Sequence, residues 1–182
     1  FDPALAERTA AAASYEAAAA GIDWTFAPMV DVARDQRWGR TMEGAGEDVH
    51  LGNLFAAARV KGFQGASLKA IDTMMACAKH FAAYGAAEAG LDYNTVDVSE
   101  RTLREVYFPP FQAAFGAGAL SAMSSFNEIS GIPSNGNEWL MRTVLRDEWK
   151  YQGFVVSDYT GDMEMIDHGF AADAREATKI AF

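Results

Sequence analysis

The sequence predicts an α/β fold, an incomplete (β/α)8, TIM-barrel-like arc of parallel strands and helices. Three observations predict it. First, the apolar runs Ile22 to Val32, Thr73 to Phe81, Leu120 to Asn127 and Gly153 to Asp158 are continuous rather than alternating, as strands buried on both faces read. Second, helical patterns separate these runs, which is the order of strand-then-helix units around a parallel sheet. Third, polar residues gather where each run stops: Asp31 and Arg34, Lys79 and His80, Ser125 and Asn127, then Asp158. Length alone favours a doubly wound sheet of about four or five strands, because a complete barrel needs about 250 residues. The polar ends argue for the barrel. In a barrel all the strand C-termini converge on one pocket, whereas in an open sheet only those flanking the switch point share a crevice.

Each element has a local reason. Asp2 caps and Pro3 opens an Ala-rich helix that Gly21 stops. The first apolar run, IDWTFAPMVDV, is rich in β-formers and ends polar. Glu47 to Phe63 places Leu51, Leu54, Phe55, Ala58 and Phe63 at helical spacing, and the second strand follows from Thr73. Ser99 to Gly118 reads as a helix carrying Leu103, Val106, Tyr107 and Phe111, broken at Pro109-Pro110. The third strand starts at Leu120, a helix spans Asn137 to Tyr151, and GFVVSD forms the fourth strand.

Half of the 182 residues are apolar, so the chain can bury a substantial core and is neither a linker nor a disordered tail. Cys77 is the single cysteine, which excludes an intrachain disulfide framework and a multi-cysteine zinc module. Fifteen Lys plus Arg against 25 Asp plus Glu gives a net charge of −10. Phosphate backbones and anionic membranes are repelled by such a surface, so neither nucleic acid nor membrane is expected as a partner. No stretch approaches the roughly 18 apolar residues of a bilayer span. No leader pattern of basic then apolar residues opens the chain.

Several motifs invite chemistry. Gly44-Ala45-Gly46 lacks a third glycine at Val49 and follows a charged loop, so it is not a dinucleotide fingerprint. His50, His80 and His168 lie far apart without partners at ligand spacing, and neither a metal nor another cofactor is expected. Arg34-Asp35-Gln36-Arg37-Trp38-Gly39-Arg40 packs three guanidinium groups and an indole into one loop. It reads either as a solvated charge cluster or as a site where fork donors and an aromatic face hold a polyhydroxylated ligand. Lys79 ends an apolar strand, where a cation needs a carboxylate, a ligand or water. His80 reads as a ligand group or a hydrogen-bonded core histidine. Asp158 stands at the mouth of the sheet, as a functional carboxylate or as a helix N-cap.

Taken together these segments resemble the catalytic barrel of glycoside hydrolase family 3, near its bacterial β-glucosidase branch. The resemblance rests on Gly21-Ile22-Asp23-Trp24-Thr25-Phe26-Ala27-Pro28, the Arg34 to Arg40 loop, and Glu43-Gly44-Ala45-Gly46-Glu47-Asp48. Cys77-Ala78-Lys79-His80-Phe81, Asp92-Tyr93-Asn94-Thr95, Met123-Ser124-Ser125-Phe126-Asn127 and Gly153-Phe154-Val155-Val156-Ser157-Asp158 follow in the family's order. It implies retaining hydrolysis of terminal β-D-glucosidic bonds without a cofactor, with Asp158 as the nucleophile and Arg40, Lys79 and His80 binding sugar hydroxyls. It further implies that residues 1–182 are an interior part of the N-terminal catalytic barrel domain, with the acid/base, a Glu, on a later domain. Four units alone would leave barrel edges open and prone to aggregate. The branch implies a periplasmic or secreted location.

The expected chemistry fits these residue types. A retaining enzyme needs an ionised carboxylate to attack the anomeric carbon and a second carboxyl about 5–5.5 Å away to protonate the leaving oxygen. Gln36, His50, Leu91 and Tyr159 depart from residues common in the family, and Tyr159 offers a smaller stacking face than the Trp usual there. Ala82-Ala83-Tyr84-Gly85 stands where the N-acetylhexosaminidase branch carries Asp-Ser-His, which disfavours that activity. Two other readings compete: a Schiff-base, aldolase-like enzyme using Lys79, and a non-catalytic sugar-binding piece.

Overall fold

The computed structural model describes residues 1–182. Helix α1 (Pro3–Ala19) starts where the Asp2 carboxylate accepts the Leu5 N–H, and α2 (Val49–Gln64) starts at Asp48 in the same way. Gly65, at φ 55°, ends α2. Between α2 and the next helices runs β1 (Cys77–Phe81). The helical stretch that follows has three parts: α3 (Glu100–Thr102), a wide turn over Leu103–Tyr107, and α4 (Pro109–Gly116). Then come β2 (Ser121–Ser124), a hairpin of β3 (Glu128–Ile129) and β4 (Ile132–Pro133), and a widened helix, Trp139–Glu148. β5 (Phe154–Ser157), α5 (Glu164–Asp167) and α6 (Ala174–Ala181) complete the chain. No helix is long and apolar enough to cross a membrane.

The sheet settles the choice left between architectures. Its strands lie in the order β1-β2-β5, all parallel, and the Trp24–Met29 segment flanks β1 through parallel bridges at Met75 and Lys79. Spatial order therefore follows chain order in one direction, as in a barrel, with no reversal to make a switch point. The fold is an α/β arc of the barrel type, as the polar strand ends required.

Two local expectations are corrected. Ile22 to Val32 is not a regular strand. Pro28 has no N–H to donate, and the segment instead shares separate backbone bonds with its neighbour, among them Thr25 N–H to Met75 O at 3.0 Å and Val30 N–H to Lys79 O at 2.8 Å. The third run stops at Ser124, and the hairpin after it turns at Ser130 and Gly131, both at positive φ (52° and 82°), as a tight two-residue turn demands.

Side chains sort by row. Ala78, Ala122 and Val155 stand opposite one another and join the main core under the helices, with Val60, Phe81, Phe111 and Leu145. The alternate row, Met29, Lys79, Met123 and Val156, faces the other side of the sheet. Below it on the same face, the Trp24 indole N–H donates to Ser121 Oγ at 2.9 Å and its ring meets Phe154 edge-on at 5.3 Å. Such stacked layers fill the inside of a barrel. Here that face carries the site on its upper rim.

Candidate active site

The C-terminal ends of the parallel strands bring Asp31, Lys79, His80 and Asp158 together. The register of β1 against β2 steps at this point: Lys79 faces Met123, and the next pair is Phe81 with Ser124, so His80 is left out of the ladder. A bulge of this kind frees a backbone group and re-aims a side chain. The freed His80 N–H donates to Asp31 Oδ2 at 2.9 Å. The same oxygen takes His80 Nδ1 at 2.9 Å, which leaves Nε2 pointing to Asp158 Oδ2 at 3.4 Å. His80 is 1 % exposed, whereas the Asp158 side chain keeps 16 % of its surface open. The other Asp158 oxygen accepts the Tyr159 N–H at 2.7 Å. One carboxylate edge is thus anchored, and the carboxylate stays in reach of solvent at the sheet mouth.

Arg40 comes from the loop after the Pro28 segment. Its guanidinium makes a two-pronged pair with Glu43, at 2.7 and 3.0 Å, and lies 5.6 Å from the centre of the Tyr84 ring. The pairing holds Glu43 below the usual carboxylate range, with Lys79 and His80 adding to the effect of Arg40. Tyr84 in turn packs edge-on against both Trp38, at 5.3 Å, and His80, at 5.1 Å. Burial pushes its phenol well above the ordinary range, with Asp92 adding to the shift. The buried Trp38 donates its indole N–H to Asp92 at 2.9 Å. Tyr93 stacks on Phe126 at 4.2 Å, and burial, then Asp158, raise its phenol. Lys79 is half-buried, on the row with Met29 and Met123, and makes no ion pair.

All four residues singled out from the sequence therefore border one rim. Arg40 is already held by Glu43, and His80 has both ring nitrogens turned to carboxylates. In the sequence Asp31 is marked only as a polar strand end, and its pairing with His80, like Glu43 under Arg40 and Asp92 under Trp38, emerges only from the structure. Glu43 was visible as a carboxylate three positions from Arg40, but the other two partners come from distant segments. No group of three or more His, Cys, Asp or Glu side chains has an arrangement fit to hold a metal ion.

Comparison with known proteins gives this geometry a family. The description "glycosyl hydrolase family 3 N terminal domain" matches residues 1–181. A periplasmic beta-glucosidase of Salmonella typhimurium is 46 % identical over 168 residues, which are 92 % of this chain and 22 % of that protein. A beta-xylosidase of Formosa agariphila is 40 % identical over 183 residues, 97 % of this chain and 25 % of its own length. Among solved structures, the beta-glucosidase of Listeria innocua in complex with glucose superposes with a TM-score of 0.97 at 46 % identity, over 100 % of this chain and 26 % of that one. The chain spans about a quarter of the length of these relatives. Matched along nearly all of its residues and in the layout of its strands, it belongs to glycosyl hydrolase family 3 as that family's N-terminal domain.

Proposed function

We propose that the protein containing this domain is a retaining β-glucosidase. The observation that carries the reading is the Asp158 carboxylate at the end of β5, anchored on one edge by the Tyr159 N–H, faced by His80 and open at the rim. Asp158 attacks the anomeric carbon of a terminal β-D-glucosyl unit, the bond to the aglycone oxygen breaks, and a covalent glycosyl-aspartate forms. A Glu on a later domain protonates the departing oxygen and then takes a proton from the water that releases glucose. No cofactor enters either step.

Arg40 and Lys79 bind the sugar hydroxyls, and His80 Nε2 stands at the same rim beside the nucleophile. These contacts act by favouring the oxocarbenium-like transition state over the ground state. Arg40 suits the task because Glu43 fixes its planar fork before substrate arrives. Its partners are then a β-glucoside or oligosaccharide and the remainder of its own polypeptide. The Salmonella relative's name, periplasmic beta-glucosidase, supports a periplasmic or secreted location.

The test is Asp158→Ala in the full-length enzyme. Turnover falls on the order of 10³-fold or more with the melting temperature little changed. Added azide, a small anion able to enter the space left by the carboxylate, restores turnover and gives the α-glucosyl azide. Near-normal turnover in the variant would remove Asp158 from the mechanism.

A further inference from the structure

Asp31 is a buried carboxylate with no part in the chemistry described so far. Its side chain is 1 % exposed, and one of its oxygens, Oδ2, accepts both hydrogen bonds from His80, at 2.9 Å each. Its other oxygen, Oδ1, is buried without a hydrogen-bond partner. A carboxylate enclosed in this way is destabilising unless what it holds repays the lost hydration. The fold already supplies His80 with packing from Tyr84, and the backbone N–H released by the β1 bulge could have been met by a neutral acceptor. What only this geometry adds is orientation. The two bonds pin the His80 backbone and its Nδ1 to a single oxygen, so the ring cannot turn and its Nε2 edge is fixed toward Asp158 Oδ2 at 3.4 Å.

We infer that Asp31 is a positioning residue for the reaction, holding Asp158 at the attack position through His80. The inference rests on the proposed role of Asp158 as nucleophile. Asp31 touches neither the sugar nor the reacting atoms. It belongs to the segment after Pro28, while Asp158 ends β5, so the string Asp31–His80–Asp158 ties the two outer members of the sheet across β1 and β2. Carboxylates that orient metal-bound imidazoles typically matter 10–100-fold, and an effect of about that size is expected for this metal-free pair.

The experiment is a double-mutant cycle in the full-length enzyme: Asp31→Asn, His80→Ala and the pair, each assayed with an aryl β-glucoside. Asp31→Asn keeps the shape and removes the charge. It is expected to lower kcat about 10–100-fold with KM changed less than about threefold, because an orienting contact acts in the transition state. In the His80→Ala background the same change is expected to have no further effect beyond about twofold, since Asp31 acts only through the imidazole. If Asp31→Asn yields no folded protein, Asp31→Ser, which leaves room for a bridging water, takes its place in the cycle. Two results would overturn the inference: kcat within about twofold of the parent, or an equal loss with and without His80, as a purely structural role gives. Asp158→Ala is measured alongside. If that variant keeps its rate the nucleophile assignment fails, whereas its inactivity with an unchanged Asp31→Asn enzyme rejects Asp31 alone.

Discussion

Gly85 offers a sharp test of how the site is held, because two simple arguments give its substitution opposite signs. It sits in the short turn Tyr84–Ala86 after β1, at a backbone conformation open to any residue, since its φ is not positive. Judged by the chain alone, Gly85→Ala stabilises by about 0.4–1 kcal/mol through a less flexible unfolded state. Judged by the structure, a methyl group there overlaps the Val32 carbonyl oxygen and lies 2.9 Å from its carbon and 3.3 Å from Ala33 Cα. All three are backbone atoms, so the two segments must part by about 1 Å, a strain worth about 1–3 kcal/mol. The separation also breaks the bond from Arg34 N–H to Gly85 O, now 3.1 Å, at a cost of about 1 kcal/mol. The balance is a loss of about 1–4 kcal/mol, or on the order of 2–15 °C in melting temperature for a domain of this size. Calorimetry of the full-length protein reads it, with Gly116→Ala as control. There a Cβ meets nothing within 4 Å, and the melting temperature holds or rises. A Gly85→Ala protein that melts at or above the parent would refute the reasoning.

Arg40→Lys replaces the two-pronged pair with Glu43 by a single mobile ammonium contact. It should lower kcat/KM about 10²-fold by misplacing the charge, and an unchanged value would take Arg40 out of the sugar subsite. Burial pushes the Cys77 thiol up to about 11, so the folded protein should resist thiol reagents near pH 8 and react only on unfolding. The sign of its linkage follows: the unfolded thiol ionises near its ordinary 9.0 while the folded one stays neutral, so this stabilisation is whole below that pH and is lost as pH rises through about 11. The difference in unfolding midpoint between the parent and Cys77→Ala should shrink over that range, and a difference constant with pH would contradict the burial of the thiol.

What the sequence revealed and what it hid have physical causes. Buried parallel strands must be continuously apolar, so β1, β2 and β5 announced themselves, and the polar residue ending each run marked the rim. Lys79 and Asp158 were legible for that reason. The Pro28 segment is apolar for the same burial, but its missing N–H breaks the ladder, which composition alone does not register. The Ser130-Gly131 turn carried a recognisable dipeptide, but it lies between Asn127 and Asn137, where no apolar run flanks it to mark a hairpin. The pairing of Asp31 with His80 was the least accessible. The two are 49 positions apart, and their contact depends on a register step in β1 that no local signal encodes. Pairwise geometry across a sheet is set by tertiary packing, so residue types can name a site without naming its internal partners.

The assignment of Asp158 as nucleophile is tested most directly by trapping its covalent intermediate. The full-length enzyme is incubated with a 2-fluoro-β-glucosyl inactivator, its intact mass is measured, and the labelled peptide is sequenced. One 2-fluoroglucosyl unit per chain is expected, on Asp158 in the peptide that includes Phe154 to Tyr159. A label on any other residue, or an enzyme that stays fully active and unlabelled while hydrolysing β-glucosides, would contradict it.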